Sequence, residues 1–192
     1  MRFMIDLLRL TFTNPNAAGV HILELRPSFG TALSAFVVTI IIAVVLMFVL
    51  NGFQAAAILP GFPPISPVKL AMVMGIGTLG LVGTILLTAQ AFGGNGSLTN
   101  GILVFAWIQM LQVLLQIVQT ALMVVSITLA GLVSLIATGL LFWILFGLLN
   151  SWLSLGSMWK AATCFVISVI GLSMAGAFIL VSFGVSPGQV AL

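Results

Sequence analysis

From residue 70 to residue 159 the sequence contains no Asp, Glu, Lys, Arg or His. A soluble domain carries about a quarter of its residues as charged side chains and uses them to hold its surface in water. Here 4% of the 192 residues are charged and 62% are hydrophobic. A surface built from such a chain must face something apolar, and lipid is the ordinary answer. The length suits one compact helical domain. These features predict an all-α membrane protein: a bundle of five transmembrane helices with a short amphipathic N-terminal segment.

Breaks in the apolar sequence divide the chain. Residues 1–29 hold both acids, Asp6 and Glu24, three of the five basic residues and the one histidine, His21. Residues 1–12 put Asp6 and Arg9 on one helical side and apolar residues on much of the rest, the pattern of a helix lying in the interface. Asn14-Pro15-Asn16 ends it. A second short helix is expected over 17–25, with Asn14 or Asn16 as its cap, and Arg26-Pro27-Ser28 closes it. This 1–29 segment is read as cytoplasmic or interfacial. A membrane domain over 30–183 follows, with spans at about 30–51, 68–92, 98–125, 128–150 and 160–183. Pro60, Pro63, Pro64 and Pro67 forbid helix between the first two. The boundary between the third and fourth, around Ser126-Ile127-Thr128, is poorly marked. Residues 151–159 read as an amphipathic connection with Trp152 and Trp159 at headgroup level, and 184–192 as a loose tail. The first span is too long for a signal-peptide core, so it is expected to remain as an anchor, although Ala55-Ala56-Ala57 resembles a cleavage site.

The five basic residues, Arg2, Arg9, Arg26, Lys69 and Lys160, are too few and too scattered to bind nucleic acid. They do carry topology. With the N-terminus inside, only Lys69 lies outside, so the asymmetry predicts a cytoplasmic N-terminus and a periplasmic C-terminus in a bacterial inner membrane. The single cysteine, Cys164, excludes an internal disulfide and a multi-thiolate metal site. His21 and Glu24 share a face but bring no third ligand, so they read as a surface pair. No cofactor is expected.

Gly75-Ile-Gly77-Thr-Leu-Gly80 matches G-x-G-x-x-G, but a dinucleotide site needs a preceding strand and an acid about 20 residues later. No acid follows Glu24. Gly75, Gly77, Gly80 and Gly83 read instead as a smooth helix-packing face for a neighbouring backbone. Gln109, Gln112, Gln116 and Gln119 are the sharpest polar signal. Their spacing places all four within an arc of about 80° at 100° per residue. An amide in hydrocarbon must find a partner or remain unsatisfied at real cost. The stripe is therefore expected to fasten helices together, within the bundle or across a dimer, or else to line a polar path. The formal glycosylation sequon at Asn95-Gly96-Ser97 falls on the inner side in this topology. The five spans contain no Asp, Glu, His, Arg or Tyr, and no serine or threonine has a base within plausible reach. No enzyme activity is expected.

Ala91-Phe92-Gly93-Gly94-Asn95-Gly96-Ser97, followed by Ala106-Trp107-Ile108-Gln109, resembles the Yip family (Ypt/Rab-interacting-protein domain), especially its bacterial members. The resemblance covers roughly residues 10–185. It rests on Phe92, Gly93, Gly94, Gly96 and Ser97 of the turn and on Trp107. It implies a five-span fold without an established activity. Eukaryotic relatives carry a long cytosolic N-terminal region with no counterpart here, so Rab-type GTPase binding is not expected. The expected function is a non-enzymatic scaffold or adaptor in the lipid bilayer, making helix–helix contacts with itself as a homo-oligomer or with another membrane protein. The alternative is a protein that conducts lipid or small solutes, or perturbs the bilayer, through the glutamine stripe.

Overall fold

The computed structural model describes residues 2–50, 52 and 65–182. The Ala55–Ala57 stretch, the tail expected over 184–192 and most of the proline-rich connection lie outside the described residues. The described residues form seven helices: α1 (Arg2–Thr13), α2 (Pro15–Glu24), α3 (Phe29–Leu50), α4 (Pro67–Ala91), α5 (Leu98–Val125), α6 (Ile127–Leu153) and α7 (Met158–Ser182). Five of them, α3 to α7, are long and apolar enough to cross a membrane. The protein is an all-α, multi-pass type of molecule.

Local chemistry explains where the helices begin. Asn14 accepts a hydrogen bond from the Ala17 amide at 3.1 Å and caps α2, whose first residue is Pro15. Ser66 caps α4 in the same way and is followed by Pro67. Ser97 opens α5 by accepting from the Asn100 amide at 3.3 Å. The poorly marked boundary falls on Ser126. Its amide donates to the Leu122 carbonyl, ending α5, and its hydroxyl accepts from the Leu129 amide, starting α6.

Three expected boundaries move: α2 begins at Pro15 rather than residue 17, α7 at Met158 rather than residue 160, and α6 runs on. The fourth span was expected to end at Asn150, but α6 continues to Leu153 and stops at Ser154, which takes a left-handed conformation (φ +53°). The extra turn carries Trp152 inward. It is 2% exposed, whereas Trp159 is 84% exposed. Trp152 is therefore a core residue at the helix end rather than an interfacial anchor, because its indole N–H finds a partner inside the protein.

Helix α5 is central and packs against α3, α4 and α6, while α7 closes the bundle between α4 and α6. Packing is uneven along the bundle. The first half of α5 buries Gly101, Ile102, Val104, Phe105, Ala106, Ile108, Gln109, Leu111 and Val113. The last half of α6, from Ile144 to Leu153, is buried as heavily. Both helices are exposed toward their junction at Ser126, where Val124 is 88% exposed. We call these the closed and open ends. The α1–α2 hairpin sits at the closed end, where α2 lies on α6 and α5 and buries Pro15, Ala18, Gly19 and Ile22. α1 does more than lie on a surface. It buries Leu7 and Thr11 against the bundle and leaves Phe3, Ile5, Asp6 and Arg9 exposed.

Candidate functional site

Two groups of polar residues stand out in an apolar molecule. The first lies at the closed end. Asn16 meets α6 there: Asn150 Nδ2 donates to Asn16 Oδ1 at 3.2 Å, and Ser151 Oγ lies 2.6 Å from both Oδ1 and the carbonyl oxygen of Asn16. The hydroxyl has one proton to share among these acceptors and the Gly147 carbonyl at 3.1 Å. Asn150 Oδ1 is buried without a partner among the described residues. Such contacts require the backbones to be close. A Cβ added at Gly147 would stand 2.6 Å from Pro15 Cγ, and one at Gly19 would stand 2.6 Å from Ser151 Oγ. These distances are shorter than real Cβ contacts permit.

The turn between α4 and α5 locks onto the same end. Gly93 is left-handed (φ +77°), a conformation glycine adopts without penalty. The Gly94 amide donates to Ala89 O, and the Asn95 amide donates to Leu153 O at 2.9 Å. The Trp152 indole donates to Ser97 O at 2.9 Å. A Cβ at Gly96 would stand 2.9 Å from Leu153 Cδ2 and 3.0 Å from Trp152 Nε1. One at Gly101 would run into the same indole ring at Cζ2, and would stand 2.7 Å from its Cη2 and 2.8 Å from Val82 Cγ1. Phe105 stacks edge-on against Trp152 with ring centroids 6.4 Å apart. Phe92 is exposed. Trp107 donates to Thr11 Oγ1 at 3.2 Å and ties α1 to α5. Of the turn residues singled out in the sequence, Gly94, Gly96 and Ser97 converge with Trp152 on one packed junction while Phe92 and Gly93 stay exposed, and Trp107 fastens the N-terminal helix.

The second group is the glutamine stripe, and its members are not equivalent. Gln109 is buried, and its Oε1 accepts from Thr39 Oγ1 on α3 at 3.3 Å. Gln112 is exposed, and Gln116 and Gln119 are half-buried. Among the described residues the side chains of these last three make no hydrogen bond. The stripe starts inside the closed end and emerges where the helices diverge.

The glycine face of α4 is divided too. A Cβ at Gly75 would meet Ile40 of α3 at 3.5 Å, and one at Gly80 would meet Leu172 of α7 at 3.4 Å. Gly77 and Gly83 face open space. The close approach expected along this face is therefore made at ordinary van der Waals distance by two of its members, to two different helices. The tight approaches occur instead at Gly19, Gly101 and Gly147. Sequence reasoning missed these three because Gly19 and Gly101 stand alone in their helices and Gly147 is eight residues from the next glycine of α6, Gly139, too far apart to read as a packing repeat.

Chemically, the closed end fastens helices together, and Gln112, Gln116 and Gln119 carry amide groups that no side chain of the described residues engages. His21 and Glu24 form an exposed pair at 3.2 Å. Among the described residues no three His, Cys, Asp or Glu side chains come close enough to hold a metal. No family model, curated protein or solved structure matches the chain.

Proposed function

We propose that the protein is a non-enzymatic membrane scaffold or adaptor that binds a second membrane helix, from its own kind or another protein, along the outer half of the glutamine stripe. The observation that carries this reading is the state of Gln112. It lies near the middle of α5, is exposed, and has no partner within the described residues. A primary amide facing hydrocarbon at that depth is costly, and a polar side chain on a partner helix relieves the cost. Gln116 and Gln119 extend the surface toward the open end. The grooves of the closed end are lined by other residues, so the scaffold is preferred to a conduit that uses the stripe. A Yip-type assignment belongs to this proposal and rests on the Phe92–Ser97 turn and Trp107.

The double variant Gln112→Leu/Gln116→Leu tests the reading. Its thermal stability in detergent should stay within about 0.5 kcal/mol of the parent, because no internal bond is lost. Association with itself or with copurifying membrane proteins should weaken by about 1–3 kcal/mol, at roughly 0.6 to 2 kcal/mol per interhelical bond. Loss of stability with association intact would make the stripe internal fastening instead. If neither quantity changes, the stripe has no role.

The orientation belongs to the same proposal: closed end and N-terminus in the cytoplasm of a bacterial inner membrane, C-terminus in the periplasm. Arg9, Arg26 and Lys160 then lie on the inner side and Lys69 on the outer, in accord with the bias of inner loops toward positive charge. A C-terminal alkaline phosphatase fusion should be active and a C-terminal green fluorescent fusion dark. The reverse pair of results would invert the topology.

A further inference from the structure

Two grooves at the closed end lie along a single face of α5. The first is of mixed polarity, about 520 Å³ in volume, with Glu24, Arg26, Ser97, Thr99 and Asn100 as its polar wall beside Val20, Leu23 and Pro27. The second, about 280 Å³, is almost wholly apolar and is walled by Phe3, Leu7, Ala35, Leu103, Ala106 and Met110. On α5 the residues Asn100, Leu103, Ala106 and Met110 follow one another at helical spacing, so the two grooves lie next to each other on one side of the helix. The end of α2 stands between them, giving Leu23 to the first and Ile22 and its C-cap Leu25 to the second. From Thr99 to Met110 the path is about 16 Å long at 1.5 Å per residue. That is close to the thickness of one hydrocarbon leaflet, about half of 30 Å.

The charges at the polar end are uneven. Glu24 is engaged by His21, whereas Arg26 forms no ion pair among the described residues. Arg26 also holds a left-handed backbone (φ +40°), a conformation that glycine or asparagine adopts more readily at a helix end. Arg26 is exposed and directly follows Leu25, which lines the apolar groove. A planar guanidinium matches a phosphate, with two hydrogen bonds to its oxygens. A long apolar slot with scarcely any polar wall suits an alkyl chain and not a hydrophilic solute.

We infer that the two grooves together hold one anionic phospholipid, with its phosphate at Arg26 and one acyl chain passing Leu25 into the apolar groove between α1, α3 and α5. The site is separate from the glutamine stripe and does not depend on the scaffold reading. The lipid fills space beneath α1 and binds the N-terminal hairpin to the spans, so occupancy couples the hairpin to the composition of the leaflet.

The test uses the full chain reconstituted in phosphatidylcholine liposomes doped with phosphatidylglycerol bearing a photoactivatable group in one acyl chain. Cross-linked peptides are mapped by mass spectrometry. Adducts should concentrate on residues 3–7 and 103–110. Ala35, which is exposed on the groove wall, is changed in Ala35→Phe to fill the slot, and this should cut those adducts at least about fivefold. Arg26→Gln should keep the adducts but lower the preference for phosphatidylglycerol over phosphatidylcholine probe about fivefold, the factor expected for one arginine at an anionic membrane surface. Melting temperatures of both variants show that they are folded. Adducts spread evenly over lipid-facing positions such as Ile76 and Ile136, and indifferent to Ala35→Phe, would overturn the site. Competition by inorganic phosphate as effective as by unlabelled phosphatidylglycerol would also overturn it, since the ligand would then be a free anion.

Discussion

Trp152→Ala should be the most damaging single truncation in the protein, lowering stability by about 3–5 kcal/mol as loss of a buried tryptophan generally does. The side chain is 2% exposed, stacks on Phe105, and gives its N–H to Ser97 O at the start of α5. Removing it opens a cavity and leaves Ser97 O with the Gly101 amide as its one remaining donor. Steric trapping or chemical denaturation in mixed micelles measures the loss. Trp152→Phe should recover most of the packing but not the hydrogen bond, leaving a deficit of about 1 kcal/mol. Gly101 provides the matching control, because an added Cβ there points into the indole ring. Gly101→Ala should cost about 1–3 kcal/mol in the parent and much less in the Trp152→Ala background. Contact with Val82 remains in both backgrounds. Additive losses in the double variant would mean that the two residues do not share the contact.

Five spans were legible because composition and helix punctuation agree: the apolar sequence is interrupted by Asn14-Pro15, Ser66-Pro67 and Gly93–Ser97, and only the break at Ser126 is poorly marked. Asn14, Ser66, Ser97 and Ser126 each cap a helix, and a capping side chain depends on local sequence alone. Which side of each span faces protein was not legible. A helix that is apolar all round has no preferred buried face in its own sequence. Ile136 and Ile144 lie on the same helix, yet one is 71% exposed and the other fully buried, because α5 and α6 pack closely only at the closed end. For the same reason Gln109 and Gln112 share an arc but not an environment. Trp152 was misread because a tryptophan near a helix end ordinarily anchors at the headgroups. Its burial depends on Ser97, far away in sequence, and no periodicity reports such a pairing.

Gly147→Val should release the N-terminal hairpin while leaving the spans in place. The substitution drives a branched side chain toward Pro15, whose Cγ and Cβ would lie 2.6 and 2.7 Å from the first added carbon, and toward the Asn16 amide at 3.2 Å. A pyrrolidine ring cannot rotate out of the way, so α2 must lift from α6. Lifting breaks the bonds that Asn150 and Ser151 make to Asn16. Overpacking of this kind costs about 1–3 kcal/mol, which multiplies the undocked population by about 5 to 150. Ala18 is 0% exposed beneath α2 and serves as the reporter. In an Ala18→Cys background, maleimide labelling should accelerate by that factor on adding Gly147→Val, while native Cys164, also 0% exposed, should stay protected. Gly77→Val is the control, because no neighbouring atom lies within 4 Å of its Cβ position. It should leave the labelling rate at position 18 unchanged. Equal acceleration by both valines would mean that bulk anywhere in the bundle loosens the hairpin. Acceleration at Cys164 as well would mean that the hairpin and the spans open together as one unit.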